Sequence, residues 1–550
     1  MRMLRHNSLH LITLRHHSHH DKHPSQYVGT LLVLTSLLYH AIIGIQGFDI
    51  ADEGWSMTGY QQIFSAPESV EYLFMYYLVN LVGGLWNILF GWGGIYAFRL
   101  LTGIVVTLTA WVVFRLLRPY FNPWSILVGI WASFLCSSYG IMAFYHNYLM
   151  ELFTVCAATA LFRALTHDSL RWMALSGILI GCNVFIRLPN ITLTALILLL
   201  IPYYIHKRDS LQTWKMLGVA CGGFCIGVAS VILLMVVLGH WPIFLNAVNS
   251  VMSAGTESES NHQLSTMFSN YGETYKDIFT IGFYNNLYTI YLFSTWGWLW
   301  ILLSRRYPIE LTYLSTMAVL IMHLLPIGSD LGISNSGDNC IQLAAPLLTA
   351  MIWKEASDPR HQRIWRLTGC TVAVIALMLF YARGIKALIY GCYYDVGPRY
   401  AKTCLINHPL TTTFTTRENR DALEPLLNQL SHYVKRDDYL LCFQNAPTIH
   451  YLTHTRPYLY NPWPWCYDTE NMAQHFLRAE REIKVLPVLV RDKMMIFNWS
   501  EYYPDWDNEH AEEGYLHRNK KVRLIRQFIE KHHYQVVWEN NVFQILIPQQ

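Results

Sequence analysis

The sequence predicts a polytopic α-helical membrane protein that carries a soluble α/β domain at its C-terminal end. Three observations predict it. Hydrophobic residues make up 53% of the 550 positions and come in blocks separated by short polar breaks. Many blocks run to about 20 residues, the length that crosses a hydrocarbon core as a helix. Lys and Arg are shared unevenly among the breaks, as the positive-inside rule requires of membrane loops. From about residue 391 the composition turns polar, and strand-like runs alternate with helix-like ones.

Composition bounds the rest. A formal net charge of +3 points away from a nucleic-acid partner. The 19 Trp and 35 Tyr suit wide membrane interfaces, where rings with polar edges collect. Most of the 11 cysteines lie in or beside apolar runs and read as packing residues. Cys392, Cys404, Cys442 and Cys466 fall in the polar part and could pair in an oxidising compartment. No CxxC or Cys/His metal pattern is present.

Residues 1–26 are basic and His-rich, with Arg15, His16, His17, His19, His20, Lys22 and His23 close together. They read as a cytosolic tail, with a metal-binding tract as the sharper alternative. The run 27–46 is long and lacks a small-residue cleavage site, so it is expected to stay as the first span. The stretch 71–90 is apolar but carries Asn80, Asn87 and Gly83-Gly84, and either spans or lies along the interface. Further spans are expected near 97–117, 123–142, 148–166, 172–187, 190–205, 214–238, 285–303, 309–327, 339–353 and 367–386. With the first they make about eleven crossings.

If 71–90 lies flat, thirteen Lys and Arg fall in inner loops, from Arg115 to Arg366, against Arg99, Arg187 and Lys276 outside. If it spans, the bias inverts, so the flat arrangement is expected. The outer loops then carry Asp52-Glu53, Tyr145-His146-Asn147, Arg187-Leu188-Pro189-Asn190, a long loop 240–284, and the Gly/Ser/Asn-rich loop 328–339. The inner loops hold no GxxxxGK[ST] and no GxGxxG. An enzyme working outside the cytosol lacks nucleotide sugars, so its activated substrate would arrive on a lipid. The C-terminal part shows strands near 439–443 and 485–490, helices near 447–453, 472–484 and 521–531, and a terminal hairpin over 535–547. The predicted organisation is a tail 1–26, a membrane domain 27–390 and an extracytoplasmic α/β domain 391–550.

The chain is organised around Gly47-Phe48-Asp49-Ile50-Ala51-Asp52-Glu53-Gly54-Trp55. Three carboxylates within five positions, just past a span, are costly unless water or substrate meets them. Asp52 and Glu53 could serve as base and orienting partner, or cap the helix that follows. Arg99 and Arg187 each adjoin the outer end of a span and could hold a phosphate; the alternatives are snorkelling or an ion pair. His146 could be a base or metal ligand, or a hydrogen-bonded interfacial histidine, and its neighbour Asn147 is a candidate substrate contact. Asp330 and Asp338 could meet sugar hydroxyls, or serve turn chemistry. In the loop 240–284, Glu257, Glu259, His262, Glu273 and Asp277 read as a solvated cover, with a weak metal site from Glu68 or Glu71 and His262 as the alternative. Asn461-Pro-Trp-Pro-Trp-Cys466 offers indoles for a sugar but reads first as a stiff turn leaning on the membrane.

Phe48-Asp-Ile-Ala-Asp-Glu-Gly-Trp55, then 72–77, Phe90-Gly91 and Phe98-Arg99-Leu100, resemble the GT-C membrane glycosyltransferases. The nearest look is to the protein O-mannosyltransferases, the lipid A aminoarabinose transferases and related bacterial enzymes. The resemblance covers about 27–205, and more loosely the topology to 390. It implies an inverting sugar transfer from a polyprenyl monophosphate to a glycan, lipid or protein acceptor on the outer face. Asp52 would be the base, Glu53 its neighbour, Arg99 near the donor phosphate or structural, and Arg187 the preferred phosphate ligand. Many members carry an acid in the loop after the third span; here Tyr145-His146-Asn147 stands there, and the nearest acid is Glu151. No cofactor is required by the sequence, and a divalent metal is left open. The C-terminal α/β domain also looks like that of several bacterial members, which implies a bacterial inner membrane, with the N terminus cytosolic and the C-terminal domain periplasmic. The rival readings are a ligase or polymerase using a polyprenyl diphosphate, and a lipid-linked sugar transporter.

Overall fold

The computed structural model describes residues 22–549, except 137–141, 257–263, 282–283, 305–306, 328, 330–331, 396, 496–497 and 503–517. The basic tract before residue 22 and Asp330, Glu257, Glu259 and His262 lie outside the described residues.

Among the described residues, sixteen α-helices precede the polar part. In chain order they are α1 (Lys22–Ile43), α2 (Asp52–Gln62), α3 (Tyr77–Phe90), α4 (Gly94–Leu117), α5 (Pro123–Phe134), α6 (His146–His167), α7 (Leu170–Asn183) and α8 (Leu200–Lys207). Then come α9 (Ser210–Val237), α10 (Trp241–Thr256), α11 (Leu264–Ile281), α12 (Asn286–Ser304), α13 (Ile309–Leu324), α14 (Ile333–Ser336), α15 (Ala344–Ala356) and α16 (Arg363–Tyr390). Seven segments among the described residues are long and apolar enough to cross a membrane: α1, Pro67–Leu117, α6, Leu188–Lys207, α9, α12 and α16. The chain is an integral membrane protein.

Seven is fewer than the eleven expected. The shortfall lies at α5, α7, α13 and α15, which have 12, 14, 16 and 13 residues, or about 18–24 Å of helix. Short helices are tolerated at membrane depth where polar side chains inside the protein satisfy their ends. The start of α5 lies at the surface, where the exposed Asn122 caps it by accepting from Trp124 N at 2.9 Å. At the end of α7, Asn190 Nδ2 donates to the Asn183 carbonyl at 3.2 Å, and Asn183 Nδ2 donates to Thr154 Oγ1 at 3.0 Å.

The ambiguous stretch 71–90 forms a 3-10 segment, Pro67–Tyr76, and then α3. With 14 residues α3 is about 21 Å long, short of a hydrocarbon core of about 30 Å. Its small face, Gly83 and Gly84, packs on Tyr60, Ile63 and Phe64, while Leu85, Ile88 and Leu89 are exposed. Gly94, at φ +60°, turns the chain into α4, and a Cβ there would meet the Leu410 carbonyl at 2.3 Å. The expected loop 240–284 is mostly helix, α10 and α11. Its polar residues recur at helical spacing and leave apolar ones to pack.

α7 and α9 cross in close contact. Gly177 and Gly181 on α7 meet Ala220 and Phe224, while Gly223 and Gly227 on α9 meet Ala174 and Ile178. A Cβ at any of the four would stand 2.3–2.4 Å from a carbonyl oxygen of the other helix. This is the small-xxx-small packing that lets backbones approach in a membrane.

The C-terminal part holds α17 (Arg417–Leu430), β1 (Tyr439–Phe443), α18 (Thr448–Thr453), β2 (Arg456–Pro457), α19 (Thr469–Glu482), β3 (Val488–Asp492), β4 (Met494–Met495), β5 (Asn498–Tyr502), α20 (Arg518–Lys531), β6 (Tyr534–Glu539) and β7 (Phe543–Pro548). Five strands form one sheet in the order β2-β1-β3-β7-β6. The first three are parallel, with Leu440 opposite both Pro457 and Val488, and β7 is antiparallel to β3 and β6. β1 is apolar throughout, as a strand covered on both faces must be. All 11 cysteines are free thiols, Cys392, Cys404, Cys442 and Cys466 among them, for which the sequence alone leaves pairing open. The turn 461–466 packs inward: Trp465 is buried, and the Trp463 indole donates to the Gln444 carbonyl at 3.1 Å rather than leaning on lipid.

Candidate active site

The three carboxylates after α1 have three different environments. Asp49 is buried and accepts from Ala51 N at 2.7 Å and Glu53 N at 2.8 Å, which closes the turn into α2. Burial pushes the Asp49 carboxyl well above the usual carboxylate range; the Asp52 and Glu53 charges add to this, and the two amides pull it back. Glu53 is also buried. It receives Arg99 Nε on Oε1 at 2.8 Å, Arg99 Nη2 on Oε2 at 2.7 Å, and Ala143 N on Oε1 at 2.5 Å. Asp52 alone of the three is only part-buried. Its Oδ2 accepts from the Tyr393 hydroxyl at 2.6 Å.

Arg99, in the first turns of α4, is buried with Glu53; their side chains are 3% and 1% exposed. Its Nη1 donates to the Gly44 and Gln46 carbonyls at 3.1 and 2.9 Å. One guanidinium therefore ties the end of α1, the start of α2 and α4 together, and Glu53 adds the segment before α6. The expectation of a phosphate beside Arg99 meets this geometry: its fork is closed on a carboxylate and two carbonyls.

Arg187 is different. It precedes the 3-10 segment Leu188–Leu199, is buried, and donates from Nη1 to the Leu325 carbonyl at 3.5 Å. Among the described residues no carboxylate pairs with it. Its charge reaches His146. His146 stacks on Tyr76 with ring centroids 4.3 Å apart and meets Tyr145 edge-on at 4.9 Å. Tyr145 joins the remaining groups: Asn147 Nδ2 donates to its hydroxyl at 2.9 Å. Burial raises the Tyr145 phenol well above its ordinary range, and the charges of Asp338 and Asp52 add to that rise. Asp52, Tyr145, His146, Asn147, Arg187 and Asp338 thus share one neighbourhood, although they come from four separate stretches of sequence. Asp338 accepts from Asn339 Nδ2 at 2.8 Å.

One turn along α6, Glu151 is 2% exposed and neither carboxylate oxygen has a hydrogen-bond partner; Asn147 Oδ1 has none either. Buried acceptors without donors are costly, and these three atoms lie one turn apart on α6. Among the described residues no group of three or more His, Cys, Asp or Glu is placed to hold a metal ion. Glu71, considered as a ligand, is taken by Arg478 at 2.8 Å and Asn246 at 3.1 Å.

Several site residues carry no sequence signal of their own. Tyr393 lies just past α16, and Thr448 and Asn461 lie in the C-terminal part. Thr448 Oγ1 donates to the Asp49 carbonyl at 3.0 Å, and Asn461 Oδ1 accepts from the Trp55 indole at 2.9 Å. Hundreds of residues separate the partners, so no local pattern announces them.

No protein-family model and no curated protein matches the chain. Solved structures do resemble it. One is the Archaeoglobus fulgidus oligosaccharyltransferase in the apo form, at 11% identity and a TM-score of 0.47, over 86% of this chain and 70% of that one. Another is ArnT from Cupriavidus metallidurans bound to undecaprenyl phosphate, at 11% identity and a TM-score of 0.49, over 94% of this chain and 97% of that one. At that identity, and with TM-scores below 0.5, these likenesses do not assign an activity.

Proposed function

We propose that the chain is a membrane glycosyltransferase that moves a sugar from a polyprenyl-monophosphate donor to an acceptor hydroxyl on the extracytoplasmic face, with inversion. The observation that carries this reading is the pairing of opposite tasks in one neighbourhood: a part-buried carboxylate, Asp52, and a buried guanidinium, Arg187, with no carboxylate partner among the described residues. In the proposed step the acceptor oxygen attacks the anomeric carbon and the carbon–oxygen bond to phosphate breaks. The acceptor proton goes to Asp52, and the polyprenyl phosphate leaves with both electrons of the broken bond. General-base help of this kind is worth about 10²–10⁴-fold, and a preorganised cation at the leaving oxygens adds to it. Glu151 and Asn147 would accept from the sugar's hydroxyls. Asp338 would stand beside them, with His146 and Tyr76 as a ring platform. Glu53 and Arg99 are assigned to holding the loop rather than to chemistry. The membrane would be a bacterial inner membrane, with the α/β domain on its outer side.

The test uses purified protein in lipid discs with a mixed pool of polyprenyl-linked sugars and a membrane extract as acceptor. Mass spectrometry follows the lipid products. Release of polyprenyl monophosphate is expected; release of diphosphate would favour a ligase, and release of neither from a complete sugar pool would favour a transporter. Arg187→Gln is expected to lower kcat/KM for the donor by about 10²-fold, measured by the same assay. It should leave Tm almost unchanged, because no ion pair is broken.

A further inference from the structure

The parallel half of the C-terminal sheet reverses direction. The chain passes from β1 to β2 on one side, then crosses to β3 on the other side of β1. In open α/β sheets the crevice outside the carboxyl ends of the strands, at such a reversal, is where ligands bind. Here that place is taken by the loop that carries Asp52.

The contacts come from the segments that follow β1 and β2, and the end of β3 braces the first of these segments. After β1, Thr448 N donates to the Ile50 carbonyl at 3.1 Å and Thr448 Oγ1 to the Asp49 carbonyl at 3.0 Å. After β2, Asn461 receives the Trp55 indole at 2.9 Å. At the end of β3, Asp492 accepts the Gln444 and Asn445 amides at 3.2 Å each, fixing the turn that presents Thr448. The fit at α2 is tight: a Cβ on Gly54 would stand 2.0 Å from the Thr448 Cα.

A second anchor lies between α16 and the sheet. Asp395 and Lys402 form an ion pair at 3.0 Å with both side chains 0% exposed. Asp395 Oδ2 accepts from Phe48 N at 2.7 Å and from Thr415 Oγ1 at 2.9 Å, and Asn419 donates to Oδ1 at 3.0 Å. Two residues before Asp395, Tyr393 donates to Asp52.

We propose that residues 391–550 are the positioning half of the catalytic centre: the strand-end crevice holds 48–55, and Tyr393 is the positioning residue that orients the Asp52 carboxylate. The second part rests on the reading of Asp52 as the base. A phenol that donates to a carboxylate favours its charged form and limits its rotation, so Tyr393 keeps Asp52 ready to take a proton.

Tyr393→Phe and Thr448→Val keep shape and remove one hydroxyl each, and both are studied as full-length protein in lipid discs. Hydrogen exchange is followed at the amides of residues 50–56. It should quicken about tenfold in each variant, with the amides of α9 unchanged. Exchange at 50–56 equal to wild type in both would overturn the positioning role, whatever the transfer assay shows. Where wild type releases polyprenyl phosphate, Tyr393→Phe should also lower kcat about tenfold with donor KM little changed. It should move the acid limb of the pH–rate profile up by about one unit. A faster-exchanging loop with an unmoved acid limb would leave the crevice in place and sink the claim for Tyr393. An inactive wild type would count against Asp52 as the base, and the exchange result would still decide the crevice.

Discussion

Asp52→Asn lowers the rate of sugar transfer by about 10²–10⁴-fold, the contribution of a placed general base, while the protein stays folded. The substitution keeps the shape and an oxygen that Tyr393 can still reach, and Asp52 is only part-buried. The cost in stability should therefore be under about 1 kcal/mol, as for most substitutions away from the core. The two neighbouring carboxylates give the contrast. Asp49→Asn disturbs a turn whose oxygens hold two amides, and Glu53→Gln breaks a buried ion pair. The three variants are compared by release of polyprenyl phosphate and by thermal unfolding in lipid discs. An Asp52→Asn protein that transfers sugar at the wild-type rate would remove the proposed base.

This division of labour was only partly legible in the sequence. Acidic residues beside a span stand out because their burial is costly, and that reasoning singled out Asp52-Glu53 as candidates. It could not say which carboxylate would be neutralised, because the deciding cation, Arg99, is 46 positions from Glu53. The same holds for Tyr393, 341 positions from Asp52. The strands and helices of the C-terminal part were legible because strand period and helix period are local. The loop they pack against was not, since the Thr448–Asp49 and Asn461–Trp55 contacts join residues 399 and 406 positions apart. Two misreadings share a cause. The polar stretch 240–284 read as loop, and the Trp-Pro turn 461–466 as a membrane contact. In each case composition was taken for environment, while tertiary partners, the helical packing of α10 and α11 and the Gln444 and Trp55 contacts, decided the outcome. The opposite error lies at α7 and α9, whose Gly177/Gly181 and Gly223/Gly227 spacing is a readable packing signal that passed as ordinary apolar span.

Arg99→Met is the second substitution with a large expected effect, and the effect is on the fold. With both partners at most 3% exposed, removing one leaves an uncompensated buried charge, which costs about 3–5 kcal/mol. Glu53→Gln should cost about as much. The double variant should cost less than the sum of the two, because each single change removes the same pair. Arg99→Lys should not rescue stability. An ammonium has no planar fork to meet Oε1, Oε2 and the Gly44 and Gln46 carbonyls together. Thermal unfolding in lipid discs measures all four proteins. The same set separates the two roles open to Arg99. A phosphate-binding Arg99 would give a methionine variant with near-normal Tm and a raised donor KM. A structural Arg99 gives a variant with a strongly lowered Tm, and its surviving folded fraction binds donor as wild type does. Four hydrogen bonds that join three segments of chain favour the second outcome. Arg187 makes one long hydrogen bond, at 3.5 Å to the Leu325 carbonyl, and for that contrast the phosphate is proposed at Arg187 rather than at Arg99.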